Sequence, residues 1–122
     1  MARARILIVD DEKDMCWILS RVFADIGYEV VTTQSGKEAI AKVKEDHFHL
    51  VILDLRLKDI SGIKVLSRLR SLAPKMQIIM ISAFGTPEIK EATREMRVYE
   101  FIDKPFRVER ILKSARKALE KV

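Results

Sequence analysis

Three carboxylates and one ammonium group follow short apolar runs in this sequence. The acidic residues are Asp10 and Asp11 after residues 6–9 and Asp54 after residues 51–53, and the basic residue is Lys104 after residues 101–103. Such runs are typical of buried parallel strands, and the ligands of open α/β sheets lie beyond the carboxyl ends of the strands. If the runs are neighbouring strands, the four side chains meet at one edge of the sheet. Their chemistry suits a divalent cation and a phosphoryl group.

The group of acids favours a metal ion. Clustered like charges are unfavourable unless a cation offsets them, and carboxylate oxygens suit Mg²⁺ or Mn²⁺. Ser82, at the end of another apolar run, adds a hydroxyl between the acids and Lys104. Pro105 marks a fixed turn, compatible with a cis peptide bond, that would orient Lys104. Taken singly, each residue is also compatible with an ordinary loop position, but their joint placement at four strand ends favours a site.

A parallel sheet is needed to position these side chains. Apolar runs alternate with amphipathic stretches, which predicts five strands and five helices. Right-handed crossovers favour a flavodoxin-like α/β fold, a doubly wound five-stranded parallel sheet with strand order 2-1-3-4-5. The strands are predicted at residues 6–9, 28–33, 49–55, 77–83 and 99–103, and the last helix at residues 107–122.

The first helix is predicted to carry an apolar stripe that faces the core. The stripe ends before Gly27, a C-cap glycine. Its members are Met15, Ile18, Leu19, Val22, Phe23 and Ile26. Cys16 and Trp17 lie off this stripe in the prediction, close to the acidic group. A single cysteine excludes an internal disulfide, and we interpret Cys16 as inert.

Length and composition indicate one domain over residues 1–122. The net charge of +5 invites a nucleic-acid interpretation, but many of the basic residues lie near the carboxyl end, opposite an apolar stripe. We interpret them as a solvated helix face, and no DNA-reading motif supports direct nucleic-acid binding. No apolar stretch approaches the ~20 residues of a membrane helix, and no signal-peptide pattern precedes the first strand. We therefore predict a cytoplasmic protein without membrane contact.

The four strand-end motifs together resemble the receiver domain of two-component response regulators, in the CheY-like superfamily. The motifs are ILIVDDE at residues 6–12, VILDL at residues 51–55, MISA at residues 80–83 and FIDKPF at residues 101–106. One motif alone is weak, but the ordered set with its spacing is highly specific and extends over essentially the whole chain.

The resemblance implies a phosphoacceptor with its metal site. Asp54 would take a phosphoryl group from a phosphohistidine on a partner, which is a sensor histidine kinase or a histidine phosphotransfer protein. Asp11, Asp54 and the backbone carbonyl of Arg56 would bind Mg²⁺ directly, with Asp10 contributing directly or through water. Lys104 would contact a phosphoryl oxygen. The only catalysis implied is the domain's own phosphorylation and dephosphorylation.

The resemblance also implies a switch and a partner surface. Ser82 would bind another phosphoryl oxygen, and Phe101 matches the aromatic residue that turns inward when this serine moves. An ordinary core phenylalanine is a nearly equal alternative for Phe101. The fourth helix, fifth strand and fifth helix would form the output face for an effector, an output domain or a homodimer. The residues predicted to face the phosphodonor are Met15, Trp17, Ile18, Lys58, Phe84 and Pro105, although Trp17 could instead pack against a neighbouring element.

Several positions depart from the family pattern. Lys58 stands where a proline usually follows the phosphoacceptor strand. Arg97 and Val98 replace the usual Gly-Ala pair before the fifth strand. If the backbone there needs a positive φ, arginine costs on the order of 1 kcal/mol, so we expect a remodelled turn. Arg56 and Phe84 occupy positions that tune the lifetime of the aspartyl phosphate in this family.

Two other classes remain open from the sequence. A haloacid-dehalogenase-type phosphohydrolase also uses an aspartate and Mg²⁺, but it expects a second acid two residues after the nucleophile, and two residues after Asp54 the chain has Arg56. A degenerate interaction domain of the same fold would lack a pocket residue, and here all are present. The sequence is compatible with a stand-alone receiver or phosphorelay intermediate, and with a domain excised from a larger regulator.

Overall fold

The computed structural model describes residues 3–121, in which five strands alternate with five helices. The domain is predicted over residues 1–122, of which residues 1, 2 and 122 lie outside the described residues. The last helix ends at Leu119, so its predicted extension over residues 120 and 121 is wrong, and residue 122 lies outside the described residues. None of the helices in residues 3–121 is long and apolar enough to cross a membrane. The elements are β1 (Arg5–Val9), α1 (Lys13–Asp25), β2 (Glu29–Thr33), α2 (Gly36–Glu45), β3 (Leu50–Asp54), α3 (Gly62–Leu72), β4 (Gln77–Ser82), α4 (Pro87–Glu95), β5 (Glu100–Asp103) and α5 (Val108–Leu119).

The strands form one parallel sheet in the order β2-β1-β3-β4-β5, which confirms the predicted fold and strand order. The register pairs Val9 with Leu53, Asp54 with Ile81, and Ser82 with Asp103. Because all strands run the same way and their ends are in register, the residues that follow them lie along one edge of the sheet.

The sheet is buried on both faces, as parallel sheets usually are. Successive residues of a strand point to opposite faces, so the central strands supply two separate cores. One core lies under α2 and α3, and the other under α1 and α5. On the central strand β3, Val51 and Leu53 belong to the first core, whereas Leu50 and Ile52 belong to the second.

The predicted apolar stripe of α1 is wrong in part. The buried residues of α1 are Cys16, Leu19 and Phe23, whereas Ile18 is 42% exposed. Ile26 lies just past the helix and is 48% exposed. The helix is rotated so that the small Cys16 side chain fits against the sheet, where its thiol donates to the carbonyl oxygen of Asp10 at 3.2 Å. A small side chain at this point lets the helix approach the strand end closely.

The turn between α4 and β5 also differs from the prediction. Arg97 has a φ of 63°, in the left-handed region, so the turn keeps the backbone conformation that glycine adopts most easily. The expectation of a remodelled turn is therefore wrong. The protein keeps this conformation although an arginine there is sterically unfavourable.

Asp59 connects the loop after β3 to the first turn of α2. Its Oδ1 accepts a hydrogen bond from the Gly36 amide at 3.0 Å, and its Oδ2 accepts from the Lys37 amide at 3.0 Å. The Ser35 hydroxyl also donates to Oδ2, at 2.9 Å. These bonds, led by the one from Lys37, lower the pKa of Asp59 to about 2. Asp59 thus caps a helix that is distant in the sequence.

Candidate functional site

The sheet edge brings the predicted site residues together. Asp54 and Ser82 end β3 and β4, and Asp10 and Lys104 directly follow β1 and β5. All of them except Lys104 are buried, and Lys104 is partly buried. The Lys104 ammonium lies 3.1 Å from Oδ2 of Asp10 and 3.3 Å from Oδ2 of Asp54. The peptide bond between Lys104 and Pro105 is cis. Residues at the ends of four strands therefore lie together at this edge of the sheet.

Backbone amides orient the two buried carboxylates. Oδ1 of Asp10 accepts a hydrogen bond from the Glu12 amide at 2.9 Å, and Oδ1 of Asp54 accepts from the Arg56 amide at 3.1 Å. Each carboxylate thus uses one oxygen for the adjacent loop and directs the other toward Lys104. This arrangement fixes both carboxylates before any ligand binds.

Burial and charge perturb the titration of this group. Burial raises the pKa of Asp54 to about 6, with the Asp10 charge adding to it, although the Arg56 amide and Lys104 act in the opposite direction. Burial alone would lower the pKa of Lys104, yet its contacts with Asp10, Asp54 and Glu12 hold that pKa above the ordinary value. Lys104 is therefore charged at neutral pH. Asp54 is a carboxylate whose ionised form would gain from additional positive charge.

A cluster of carboxylate oxygens at this point suits a hard cation. Single oxygens of Asp10, Glu12 and Asp54 lie within 4.8 Å of one another. Asp11 and Arg56 line the same cavity, of about 420 Å³. Glu12 was not predicted as a site residue, although it directly follows the two predicted aspartates and its Oε1 lies 3.1 Å from the Lys104 ammonium. Oxygen donors of this kind, open on one side, fit Mg²⁺ with part of its water retained.

The loop after β4 joins Ser82 to Phe101. The Ser82 hydroxyl accepts a hydrogen bond from the Phe84 amide at 2.9 Å. A Cβ atom on Gly85 would lie 2.5 Å from Cε1 of Phe101, so only glycine lets the loop backbone approach this ring so closely. Lys90 of α4 lies 5.5 Å from the centre of the same ring. Phe101 is half-buried and contacts the loop directly.

The residues predicted to face a partner surround the mouth of the cavity only in part. Trp17 is 64% exposed and Phe84 is 57% exposed. The Arg56 guanidinium stacks over the Phe84 ring at 4.4 Å, which links the loops after β3 and β4. Lys58 and Pro105 are exposed, Ile18 is largely exposed and Met15 is partly buried. Lys58, Phe84 and Lys104 line the cavity, whereas Trp17 is not among its lining residues.

A larger cavity, of about 910 Å³, lies at the opposite end of the sheet. Its wall includes Phe48, just before β3, and Met76, just before β4. Because it contains none of the strand-end acids, it does not share the chemistry described above.

Comparisons with known proteins agree with this geometry. Residues 6–116 match the family model of the response regulator receiver domain. The chain is 32% identical over 114 residues to the transcriptional regulatory protein ZraR of Salmonella typhimurium. This alignment covers 93% of this chain but 26% of that protein. It is 28% identical to the sporulation initiation phosphotransferase F of Bacillus subtilis, covering 98% of this chain and 96% of that protein. A receiver domain protein (CheY-like) from Methanospirillum hungatei superimposes with a TM-score of 0.96 at 27% identity, covering 98% of this chain and 96% of that one. The chain therefore spans about a quarter of some relatives and nearly all of others.

Proposed function

Because the chain belongs to the response regulator receiver domain family of two-component systems, we propose that it is a phosphorylation switch with Asp54 as its phosphoacceptor. One observation carries this proposal: the Lys104 ammonium lies between Oδ2 of Asp10 and Oδ2 of Asp54, both buried at the carboxyl edge of the sheet. A phosphoryl group on Asp54 would arrive where a fixed cation already stands.

The proposed reaction is phosphoryl transfer from a partner phosphohistidine. An Oδ atom of Asp54 forms a bond to phosphorus while the bond between phosphorus and the histidine nitrogen breaks. The donor ring, protonated on its other nitrogen, leaves as neutral imidazole, and the product on Asp54 is an acyl phosphate. Lys104 offsets the negative charge that the transferred oxygens bring to Asp54. The Arg56 amide keeps the buried carboxylate aligned.

The acids at the site fit Mg²⁺, and we assign them to it. Asp10, Asp11, Asp54 and the carbonyl of Arg56 would hold the ion, and Glu12 belongs to the same acidic cluster. When bound, Mg²⁺ supplies positive charge that stabilises the transferring phosphoryl group. Burial raises the pKa of Asp54 to about 6, so a bound cation would favour its ionised, nucleophilic form.

The signal would pass from Asp54 to the face formed by α4, β5 and α5. The Ser82 hydroxyl, which accepts from the Phe84 amide, would donate a hydrogen bond to a phosphoryl oxygen and draw the loop after β4 inward. Because Gly85 packs on Phe101, movement of this loop must displace or reorient the ring. The altered face would then bind an effector, an output domain or a second copy of the domain.

The partner and the setting belong to the same proposal. A sensor histidine kinase or a histidine phosphotransfer protein would dock over the mouth of the cavity, near Phe84 and Lys58. The likeness to larger regulators and to a phosphotransferase of similar length supports both an attached output domain and a phosphorelay role. A cytoplasmic location also remains a prediction.

Phosphorylation by a small donor tests the proposal. We expect acetyl phosphate and Mg²⁺ to add one phosphoryl group to the intact protein, measured by mass spectrometry. The Asp54→Asn variant should gain none, whereas the matched variant Asp25→Asn, at an exposed position of α1, should behave as the natural protein. A chelator should abolish labelling, and Mg²⁺ should raise the unfolding midpoint of the natural protein.

The alternative classes give different outcomes in the same experiment. Continuous hydrolysis of an added phosphate ester, without labelled protein, would identify a phosphohydrolase. An absence of labelling in the natural protein, with or without Mg²⁺, would identify a degenerate interaction domain and overturn the proposal.

A further inference from the structure

Arg70, in the last turn of α3, joins two loops that are distant in the sequence. Its Nε donates to the carbonyl oxygen of Met96 at 3.1 Å, and its Nη2 donates to that of Arg97 at 3.1 Å. Its Nη1 donates to the carbonyl oxygens of Pro74 and Met76 at 3.1 and 2.6 Å. One guanidinium group therefore connects the loop between α3 and β4 to the turn between α4 and β5.

The carbonyls of Met96 and Arg97 lie at the carboxyl end of α4, where helix carbonyls lack partners within the helix. A cation is favoured at this end of a helix dipole. The planar guanidinium binds both carbonyls at once, which a single lysine ammonium on a flexible stem does not reproduce. The turn itself caps the Thr93 and Arg94 carbonyls through the Val98 and Arg97 amides, and Arg70 binds from another helix the two carbonyls that follow, those of Met96 and Arg97.

Most of α4 is exposed or half-buried, and its half-buried Ile89 packs against the core under α2 and α3. Among the nine described residues of α4, Thr93 alone is buried. Near the amino end, Lys90 forms an ion pair with Asp103 at 2.9 Å, and both side chains are at least one-third exposed. Exposed pairs of this kind contribute little stability, about 0–1 kcal/mol. The strongest polar anchor of α4 is therefore at its carboxyl end.

We propose that Arg70 is the pivot of α4, a positioning residue that keeps the carboxyl end of the helix in place while the amino end moves. This inference rests on the proposed function, since it concerns how phosphorylation of Asp54 reaches the output face. The loop after β4 pulls on the amino end of α4 through residues 83–86. The carboxyl end stays bound to α3, so the displacement of the helix is a rotation about Arg70.

Hydrogen exchange measured by mass spectrometry tests the pivot in the full chain. In the natural protein, phosphorylation with acetyl phosphate and Mg²⁺ should change the exchange of residues 83–90 and leave the amides of Arg97 and Val98 unchanged. These two amides donate to Arg94 and Thr93 carbonyls, so they report on the end of the helix. Equal changes at both ends of α4 in the phosphorylated natural protein would overturn the proposal.

Variants of α3 separate a pivot from a general loss of stability. In Arg70→Met, exchange at Arg97 and Val98 should be on the order of tenfold faster before phosphorylation, as for the loss of one net hydrogen bond to a charged group. Phosphorylation should then change exchange along the whole of α4. Arg70→Lys keeps the charge and should show the same spread, whereas Arg68→Met, at an exposed position of the same helix, should match the natural protein.

The outcomes distinguish the two proposals. If the natural protein is not phosphorylated, the proposed function fails and the pivot fails with it. If it is phosphorylated but Arg70→Lys and Arg70→Met confine the change to residues 83–90 as the natural protein does, Arg70 is only a structural contact and the pivot alone is wrong.

Discussion

Replacing Arg97 with glycine should make the protein more stable. Arg97 has a φ of 63°, and its described hydrogen bond from Arg70 is made through its backbone carbonyl, which glycine retains. The side chain is exposed. Its removal therefore takes away no described packing in the core and relieves an unfavourable backbone conformation.

The expected gain follows from two opposing effects. A left-handed conformation costs a non-glycine residue about 1–2 kcal/mol. Glycine also increases the conformational entropy of the unfolded chain, which takes back about 0.4–1 kcal/mol. Removing the Arg97 charge adds a small favourable contribution, because burial and then this charge lower the pKa of Arg70. We expect a net increase of about 0.5–1 kcal/mol in the free energy of unfolding, or a few degrees in the midpoint.

Urea unfolding measures this difference, provided the slope with denaturant stays constant. Arg97→Ala is the critical control, since it removes the same charge but keeps a Cβ atom and hence the backbone cost. Arg94→Gly, in the last turn of α4, should lose about 0.5–1 kcal/mol because glycine weakens a helix. The reasoning is refuted if Arg97→Gly is no more stable than Arg97→Ala.

Three further predictions concern the loops around the site. Asp59→Ala should lower the free energy of unfolding by about 1 kcal/mol because the cap of α2 is lost, a figure discounted for the exposure of Asp59. The folded pKa of Asp59 is about 2, below the ordinary 3.8, so the cap stabilises the protein above pH 4 and this stabilisation disappears as the pH falls toward 2. Urea unfolding across that pH range measures the loss. Arg56→Met and Phe84→Ala should each shorten the half-life of the phosphorylated protein by about 2–5-fold, equivalent to the loss of a cation–π contact of about 0.5–1 kcal/mol. The double variant should lose its phosphoryl group no faster than either single variant, because the two side chains share one contact. Additive effects in the decay assay would contradict a shared contact. Gly85→Ala should lower the free energy of unfolding by about 1–3 kcal/mol, because its Cβ atom would clash with the Phe101 ring. Adding Phe101→Leu to this variant should restore part of the lost stability in thermal unfolding. An unchanged unfolding midpoint for Gly85→Ala would show that the ring moves aside without cost.

The parts of the fold that were predictable depend on local pattern. The apolar runs and their alternation with amphipathic stretches predict the strands, the helices and the order β2-β1-β3-β4-β5, because each element is short and its neighbours follow from right-handed crossovers. The position of Asp10, Asp54, Ser82 and Lys104 at one edge then follows from the strand ends. Their closeness could therefore be predicted without any knowledge of their side-chain contacts.

The prediction failed where an element's orientation depends on its neighbours. The spacing of apolar residues in α1 allowed more than one buried face, and the fit of Cys16 against the end of β1 selected the actual one. Glu12 was missed for a similar reason. The sequence places Glu12 after the two aspartates with nothing to distinguish it from an ordinary surface acid. Only its 3.1 Å distance from the Lys104 ammonium shows that its carboxylate joins the cluster.

The sequence by itself determined the order of the sheet, the edge at which the chemistry takes place and the residue types present there, because these follow from short-range periodicity and the geometry of parallel strands. Only the tertiary structure decided how the loops are held. Arg70 with the turn at Arg97, and Asp59 with the start of α2, are contacts between segments more than 20 residues apart. These contacts form only because the packed cores place the two loops of each pair side by side. The local sequence pattern of either loop does not determine the distance between them.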